Sequence, residues 1–439
     1  MLTLRSRALW VRLSDALRAA PLVSIGGVNA LMLVVNVAAS LLLIRYLPKE
    51  AYGQLVYFYA GVGLTRLLMN FGLGPYITRE IAAASGDAAL RRRVVYSTLT
   101  VRAASIALMW LAVIALNALT EQPFLFYIAL AGFFASLADI VFAIVSGLRL
   151  IRGVALITAA QPVMYLALAL GFMALGQSSA ELLMLLAAFS YLLMLAVGLW
   201  VLRRGGQIGA PQSGDFALRD LRTTIIGTLP IYFNTLLSQV YLSINGGALG
   251  GRGDFVGSAN YGAAFNLITM VSGLSGMTLN TTFYPLISQL AAQDKRAELL
   301  HQVRGANSLV LRIYLLMAVL MAAFPETIVK VLYGVQYDRS AVYLLMLAPV
   351  AVLMGCAPIF VLVLQGLRRQ GMVTLIYSAQ VATLIGLLAV QGTLSAADLA
   401  QATLISSLFG ALLLIGVTVW ALKALPFRSS DLVIALLAW

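Results

Sequence analysis

Several residue types that build metal sites and soluble enzymes are almost missing from this 439-residue sequence. It has one cysteine, Cys356, inside an apolar run, which excludes a disulfide framework and a cysteine-based metal cluster. The single histidine, His301, lies in a polar stretch, which argues against a zinc site or a histidine proton relay. P-loop, nucleophile-elbow and paired-carboxylate motifs are also missing. We therefore expect no cofactor, no metal and no catalytic residues.

Charge is scarce as well. Only 10% of the residues are charged and 62% are hydrophobic, with a mean hydropathy of +0.96. Soluble domains carry roughly a quarter charged residues, so the composition predicts a polytopic membrane protein. The net charge of +13 would suggest a nucleic-acid partner in a soluble protein. Here the positive charges lie between apolar segments, where they report membrane orientation instead, and no nucleic acid is expected.

Twelve apolar segments are long enough to cross a bilayer, and the connections between them leave no room for a separate soluble domain. We interpret residues 22–202 as a first six-helix half, 203–222 as a cytoplasmic linker and 223–421 as a second half. Residues 1–21 predict a cytoplasmic amphipathic helix, and residues 422–439 a cytoplasmic tail. The predicted spans are 22–44, 54–75, 94–116, 124–147, 154–175, 181–202, 223–246, 258–285, 307–324, 341–364, 372–391 and 399–421.

The distribution of lysine and arginine predicts the orientation of these spans. Connections that an even number of spans makes cytoplasmic hold 21 of the 29 lysines and arginines. The opposite connections hold five, and the other three lie within spans. Because cytoplasmic loops are enriched in positive charge, this bias predicts that both termini are cytoplasmic.

An internal repeat supports the two halves. Gly-Leu-Arg follows the fourth span at residues 147–149 and the tenth span at residues 366–368. Tyr-Gly opens the second and eighth spans at residues 52–53 and 261–262. Parallel repeats of this kind are common in transporters, which bind substrate between their halves. The sequence therefore predicts an all-α fold of about 12 transmembrane helices in two pseudo-symmetric six-helix bundles around a central cavity.

The second apolar segment contains an arginine near its middle. Arg66 lies twelve residues after Gln54, which is about 18 Å along a helix. That depth approaches the centre of a hydrocarbon core roughly 30 Å thick, where a charge costs about 2.5–3.5 kcal/mol. We interpret Arg66 as the anchor for an anionic substrate that enters a bundle interior. A structural arginine bonded to backbone carbonyls, or one snorkelling on a shifted span, is the alternative.

Other polar side chains within the spans form the rest of the predicted site. Arg102 and Asp139 both lie roughly 12 Å deep, so we favour a structural pair between them, with Asp139 as the alternative ion-coupling residue. Arg312 has no acid at matching depth in the second half, so it snorkels or lines the cavity. Amide and phenol groups are candidate sugar contacts, although helix–helix hydrogen bonds are their commoner role. The substrate-binding set is Arg66, Arg102 and Arg312 with Asn36, Asn70, Tyr232, Asn234, Gln239, Asn266 and Asn280.

With these features in place, the sequence resembles polysaccharide or O-antigen repeat-unit flippases of the Wzx type. These belong to the multidrug/oligosaccharidyl-lipid/polysaccharide exporter superfamily. The resemblance is carried by RYLPKEAYG at residues 45–53, FGLG at residues 71–74, the basic exit at Arg79 and the two Gly-Leu-Arg turns. It implies translocation of an undecaprenyl-pyrophosphate-type oligosaccharide to the outer leaflet during lipopolysaccharide biosynthesis. It further implies a multi-pass inner-membrane protein with glycan polymerase and other export components as partners.

Two other functions stay open. A cation-coupled drug exporter of the same superfamily would prefer acids in its cavity, whereas the interiors of the predicted spans hold three arginines and one aspartate. A membrane glycan polymerase or ligase would carry a long outer loop with catalytic residues, and the outer connections here are short. The charge balance favours an anionic substrate and a protein that is not an enzyme.

The orientation can be tested by labelling single cysteines. If the charge bias sets the topology, cysteines introduced at Gly206 and Gly251 react with an impermeant maleimide from opposite sides of the membrane. Labelling of both positions from the same side would contradict the twelve-span topology.

Overall fold

The computed structural model describes residues 21–84, 86–120, 124–205, 212, 218–279, 283–391, 394–427 and 431. The predicted amphipathic segment 1–21 lies outside these residues except for Pro21. Fifteen α-helices and two short 3₁₀ turns make up the regular structure of the described residues. The helices are α1 Pro21–Tyr46, α2 Lys49–Asn70, α3 Leu73–Ala83, α4 Ala88–Thr120, α5 Leu125–Gly147, α6 Ile151–Ala174, α7 Ala180–Gly205, α8 Leu218–Gly247, α9 Phe255–Thr278, α10 Tyr284–Ala292, α11 Arg296–Ala323, α12 Pro325–Tyr333, α13 Ser340–Gly366, α14 Gln370–Val390 and α15 Ala396–Leu422.

A helix lies at each of the twelve predicted spans. In the described part of the chain, nine helices are long and apolar enough to cross a membrane. Helix α8 makes a tenth if its two parts, which are bent by 49° near Pro230, count as one span. Helix α2, which carries Lys49, Glu50 and Arg66, is too polar to meet the same criterion. The protein is therefore an all-α, multi-pass membrane protein.

The chain forms two compact units. The first consists of the described residues up to Tyr46 together with Val62–Tyr232, and the second of Leu47–Gly61 with the described residues from Phe233 onward. Helix α2 contributes its first part to the second unit and its last part to the first. The assignment of residues 22–202 and 223–421 to two halves stays a prediction.

Each unit is built around one central helix. In α5 of the first unit 67% of the most apolar stretch is buried, and in α13 of the second unit 61%, against 11–39% in the other candidate spans. Helix α5 packs on α3 and α7, and α13 packs on α9, α11 and α15. These two helices are the predicted fourth and tenth spans. The spans that the repeat makes equivalent are therefore the central helices of the two units.

The two Gly-Leu-Arg turns adopt the same conformation. Arg149 and Arg368 lie in the left-handed region, with φ of 57° and 59°. In both turns, the amide of the residue after arginine bonds to a carbonyl five residues earlier, Leu150 to Val145 and Arg369 to Leu364. The arginine amides bond to carbonyls three residues earlier. Both central helices therefore end in a Schellman motif with arginine where glycine is usual.

The paired Tyr-Gly positions meet within the second unit. A Cβ atom on Gly53 of α2 would overlap the backbone carbonyl of Phe255 in α9. A Cβ atom on Gly262 would lie 2.8 Å from Val56 Cγ1. Each glycine therefore lets the other helix approach closely, as small residues do between membrane helices.

This contact can be tested at Gly53. Replacement by alanine pushes a methyl group into a backbone carbonyl, which cannot rotate away, so Gly53→Ala should cost about 1–3 kcal/mol of stability. We expect a clearly lower melting temperature for the detergent-solubilised protein.

Gly371→Ala in α14 is the matched control, because nothing lies within 4 Å of its added Cβ. It should be neutral or slightly stabilising. Equal melting temperatures for the two variants would contradict the close approach.

Candidate substrate-binding site

The FGLG motif breaks the second span. Phe71 and Gly72 both have positive φ, of 50° and 66°, so α2 ends at Asn70 and the chain resumes as α3 at Leu73. A Cβ atom on Gly72 would lie 2.9 Å from Tyr232 Cβ, and the Phe71 ring stacks on the Tyr232 ring at 4.7 Å. Ser105 donates to the carbonyl of Met69 at 2.7 Å, satisfying a carbonyl at the end of α2. Broken membrane helices are tolerated where such partners exist.

Arg66 lies one turn before this break, at the middle of the span. It is 17 residues after Lys49, where α2 begins, and 17 before Ala83, where α3 ends. Its guanidinium forms a two-point pair with Asp139 of α5, with Nε–Oδ2 at 2.8 Å and Nη2–Oδ1 at 2.5 Å. The Tyr191 ring of α7 lies 5.9 Å from Arg66 Cζ. The arginine fork therefore meets a carboxylate in its most favourable geometry.

Helix spacing brings the two groups together. Gly132, Ser136 and Asp139 share one face of α5, because they are four and three residues apart. A Cβ atom on Gly132 would lie 2.8 Å from Thr65 Cγ2, so this glycine lets α2 approach α5 next to Arg66. Two turns further along α5, the carboxylate of Asp139 is within reach of the arginine.

Asn70 connects this pair to a second arginine. It donates to Asp139 Oδ2 at 3.2 Å and accepts from Arg102 Nη1 at 2.7 Å. Arg102, on α4, also donates to the carbonyl of Ser136 and is 1% exposed. The predicted pair between Arg102 and Asp139 is therefore wrong, because Arg66 occupies the carboxylate and an amide lies between. Arg102 is held by a backbone carbonyl and an amide oxygen, and not by a carboxylate.

The network has an excess of positive charge and is open on one side. Two guanidinium groups share one carboxylate, which leaves a net charge of about +1. The Arg66 side chain is 38% exposed, whereas Asp139 is 16% exposed and Arg102 is buried. An anion that reached this site would meet Arg66 first and would compete with Asp139 for the same donors.

The other predicted contacts lie elsewhere. Asn36 is exposed on α1, and Tyr232 packs on the helix break. The remaining described amides belong to the second unit and have separate partners. Asn234 accepts from Thr374 at 2.6 Å, Gln239 donates to Ser243 at 3.2 Å, and Asn266 donates to Tyr52 at 3.4 Å. Asn280 lies outside the described residues.

Arg312 has an acidic partner that the sequence did not indicate. Asp431, from the predicted tail, is fully buried and lies 3.3 Å from Arg312 Nη2. It also accepts from Ser308 at 2.8 Å. The expectation that no acid lies near Arg312 is therefore wrong, because the segment after α15 returns to α11. Tyr191, beside Arg66, was not predicted as a site residue either, because a tyrosine in an apolar helix does not indicate an arginine neighbour.

Comparison with solved structures identifies the fold. The chain is similar to the lipid II flippase MurJ in an inward closed conformation, with a TM-score of 0.71 and 12% identity over 94% of this chain and 90% of that one. It is also similar to a multidrug resistance MATE family transporter of the MOP superfamily. The inward-facing form gives a TM-score of 0.68 and 14% identity, covering 91% of this chain and 98% of that one. The outward-facing form gives 0.62 and 14%, covering 90% and 93%. The predicted fold class is confirmed.

A family model extends the same conclusion to the sequence. No curated protein matches the chain. The model described as "Polysaccharide biosynthesis protein" matches residues 20–291, which is more than half of the chain. Its match includes the helix break, the arginine–aspartate network and the first Gly-Leu-Arg turn. The resemblance seen in the sequence is thereby confirmed, and the protein belongs to the polysaccharide biosynthesis protein family.

Proposed function

We propose that the protein is a flippase that moves polyprenyl-pyrophosphate-linked oligosaccharides from the cytoplasmic to the outer leaflet by alternating access. The observation that carries this proposal is the partly exposed Arg66 at mid-span, held by Asp139 within a network of net positive charge. A permanently charged, forked donor suits a pyrophosphate, which offers several oxygens in the same geometry as a carboxylate.

The chemistry we infer is an exchange of anions at Arg66. Asp139 neutralises the guanidinium when substrate is absent, which lowers the cost of a charge at this depth. A phosphate oxygen pair replaces the carboxylate when the lipid headgroup enters, and Asn70 keeps a donor on Asp139. Arg66 therefore has an anion beside it in both the empty and the loaded state, and its own charge is never left unpaired.

The substrate class follows from the family and the fold together. Family membership ties the protein to polysaccharide biosynthesis, and the fold is shared with the lipid II flippase MurJ. We infer that the substrate is a glycan on a polyprenyl pyrophosphate, as in O-antigen and lipopolysaccharide assembly. We infer an inner-membrane location, and the charge bias supports cytoplasmic termini. A glycan polymerase outside would receive the product, and no catalysis is assigned to this chain.

One observation favours a second candidate, a cation-coupled drug exporter. The fold is also that of a multidrug resistance transporter, and Asp139 is an intramembrane carboxylate. Against it, both oxygens of Asp139 accept bonds from Arg66, so an incoming cation meets a neutralised acid beside a second guanidinium. A flippase would need Arg66 to bind its anionic substrate, whereas a cation-coupled drug exporter would need Asp139.

Arg66 variants test the proposal directly. In cells that depend on this protein, Arg66→Ala should reduce glycan export at least tenfold, because a charged hydrogen bond contributes about 1.5–3 kcal/mol. The lipid-linked glycan should then accumulate on the cytoplasmic side. Arg66→Lys keeps the charge and loses the fork, so it should retain part of the export. Export is measured as surface glycan, normalised to membrane-inserted protein.

Arg252→Ala, an exposed arginine outside the predicted spans, is the matched control and should export normally. Normal export by Arg66→Ala at a normal protein level would contradict the assignment. The headgroup site would then have to be sought at Arg102 or Arg312.

Asp139 is tested by a double-substitution cycle. Asp139→Asn leaves two guanidinium groups without a carboxylate and should lower stability by about 1–3 kcal/mol, less than for a fully buried pair because Arg66 is 38% exposed. Adding Arg66→Gln removes one of these charges and should recover most of the melting temperature. Export should not recover, because the proposed anchor is gone.

Two results would change this assignment. Additive melting-temperature losses would contradict the pair. If Asp139→Asn folds normally and only the ion dependence of transport disappears, Asp139 is the coupling residue and the exporter function gains support.

A further inference from the structure

A polar cavity lies in the second unit, and Arg66 does not line it. Its volume is about 660 Å³. It is open on one side and lies between the end of α10, the Gly-Leu-Arg turn after α13 and the end of α15. Three arginines and one aspartate line it: Arg296, Arg368, Arg369 and Asp294. Leucines 290, 299 and 422 line the cavity beside them, so it is both basic and apolar.

The charges around this cavity are not balanced. Asp294 pairs with Arg296, with Oδ1 and Nε 3.1 Å apart. Within the described residues, Arg368 and Arg369 have no carboxylate partner. The Arg369 guanidinium lies instead over the Trp420 ring, at 4.1 Å from its centre. The cavity therefore has an excess of two positive charges.

Buried donors point to a ligand. Nη1 of Arg369 and Oγ of Ser288 are both buried, and neither has a hydrogen-bond partner within the described part of the chain. Both residues line the same cavity. A buried donor left unbonded costs roughly 1–3 kcal/mol, and more when charged, so two of them at one place indicate an acceptor that binds there.

The ends of membrane helices surround the cavity. Helices α13 and α15 end beside it, and α11 and α14 begin there, and all four are candidate membrane spans. The cavity therefore lies at a membrane surface, on the side that the charge bias predicts to be cytoplasmic. Trp420, 59% exposed, lies at the same level, where tryptophan is enriched at membrane–water boundaries.

The first unit carries a counterpart in the repeat. A cavity of about 460 Å³ lies beside the first Gly-Leu-Arg turn, lined by Arg149, Arg152 and Arg204. Arg204 lies over the ring of Trp200 at 4.2 Å. Both units thus place an arginine–tryptophan stack and further arginines beside the Schellman turn of the central helix. Because the same arrangement occurs in both units, a chance cluster of surface charge does not account for it.

We propose that the cavity lined by Arg368, Arg369 and Ser288 binds the phosphate headgroup of an anionic phospholipid of the surrounding membrane. The arginines and the serine hydroxyl would donate to phosphate oxygens, while the leucines contact the start of the acyl chains. Basic pockets between membrane helices bind anionic headgroups in this way. The bound lipid would join α10, α13 and α15 at their ends. The site is independent of the proposed transport function.

Lipid titration followed by native mass spectrometry tests the proposal. The full chain, delipidated in detergent, is titrated with dioleoylphosphatidylglycerol and separately with dioleoylphosphatidylcholine. We expect tight, saturable binding of phosphatidylglycerol alone. Arg369→Gln should lower the affinity for one of the bound lipid molecules about tenfold, which is the loss expected for one charged hydrogen bond. Ser288→Ala should lower the same affinity by less. Arg369→Lys should recover part of the affinity.

Arg339→Gln is the matched control, because Arg339 precedes the opposite end of the same helix α13. It should bind phosphatidylglycerol as the unchanged protein does, and all variants should stay monodisperse. Unchanged binding by Arg369→Gln would overturn the proposal, and so would equal binding of phosphatidylcholine. Displacement of the lipid by millimolar inorganic phosphate would assign the site to a soluble phosphate instead.

Discussion

The two-point pair between Arg66 and Asp139 is the interaction on which the first unit depends. A charge at mid-span is costly unless it is paired, and the fold supplies Arg66 with a carboxylate through several local features. The break at Phe71–Gly72 ends α2 one turn after the arginine, and Gly132 lets α5 approach. Removing either partner would leave the other charge unpaired, so the pair constrains both helices. Its donors are also those that a phosphate would use.

The two units repeat their architecture but not their polarity. Both are centred on a helix that ends in the same Schellman turn. In the first unit the buried polar network is charged. In the second, a buried neutral network joins α8, α9 and α15, with the Tyr261 hydroxyl 2.5 Å from Asn245 Oδ1 and 3.0 Å from Thr403. The charged pair of the second unit, Arg312–Asp431, does not involve its central helix α13. A duplicated fold that pairs an arginine with only one of its two central helices suits an asymmetric ligand that carries its charge at one end, as a lipid-linked glycan does.

Hydropathy, charge bias and repeated motifs were enough to predict the fold and the position of Arg66 along its span. They were not enough to predict its partner. Depth along a helix gives only an axial coordinate, so Arg102 and Asp139 seemed matched, whereas pairing also depends on rotation about each helix axis. The four-residue spacing of Arg66 and Asn70 shows that both lie on the same face of α2. Which helix that face meets cannot be read from the spacing. The return of Asp431 to α11 depends on a chain reversal that composition does not encode.

The central claim is that substrate phosphate replaces Asp139 at Arg66. A structure of the protein with a bound polyprenyl-pyrophosphate glycan measures this most directly. The account predicts phosphate oxygens within about 2.7–3.2 Å of Arg66 Nε and Nη2, with the carboxylate of Asp139 displaced from both. A bound pyrophosphate elsewhere in the protein, with the Arg66–Asp139 pair intact, would contradict it.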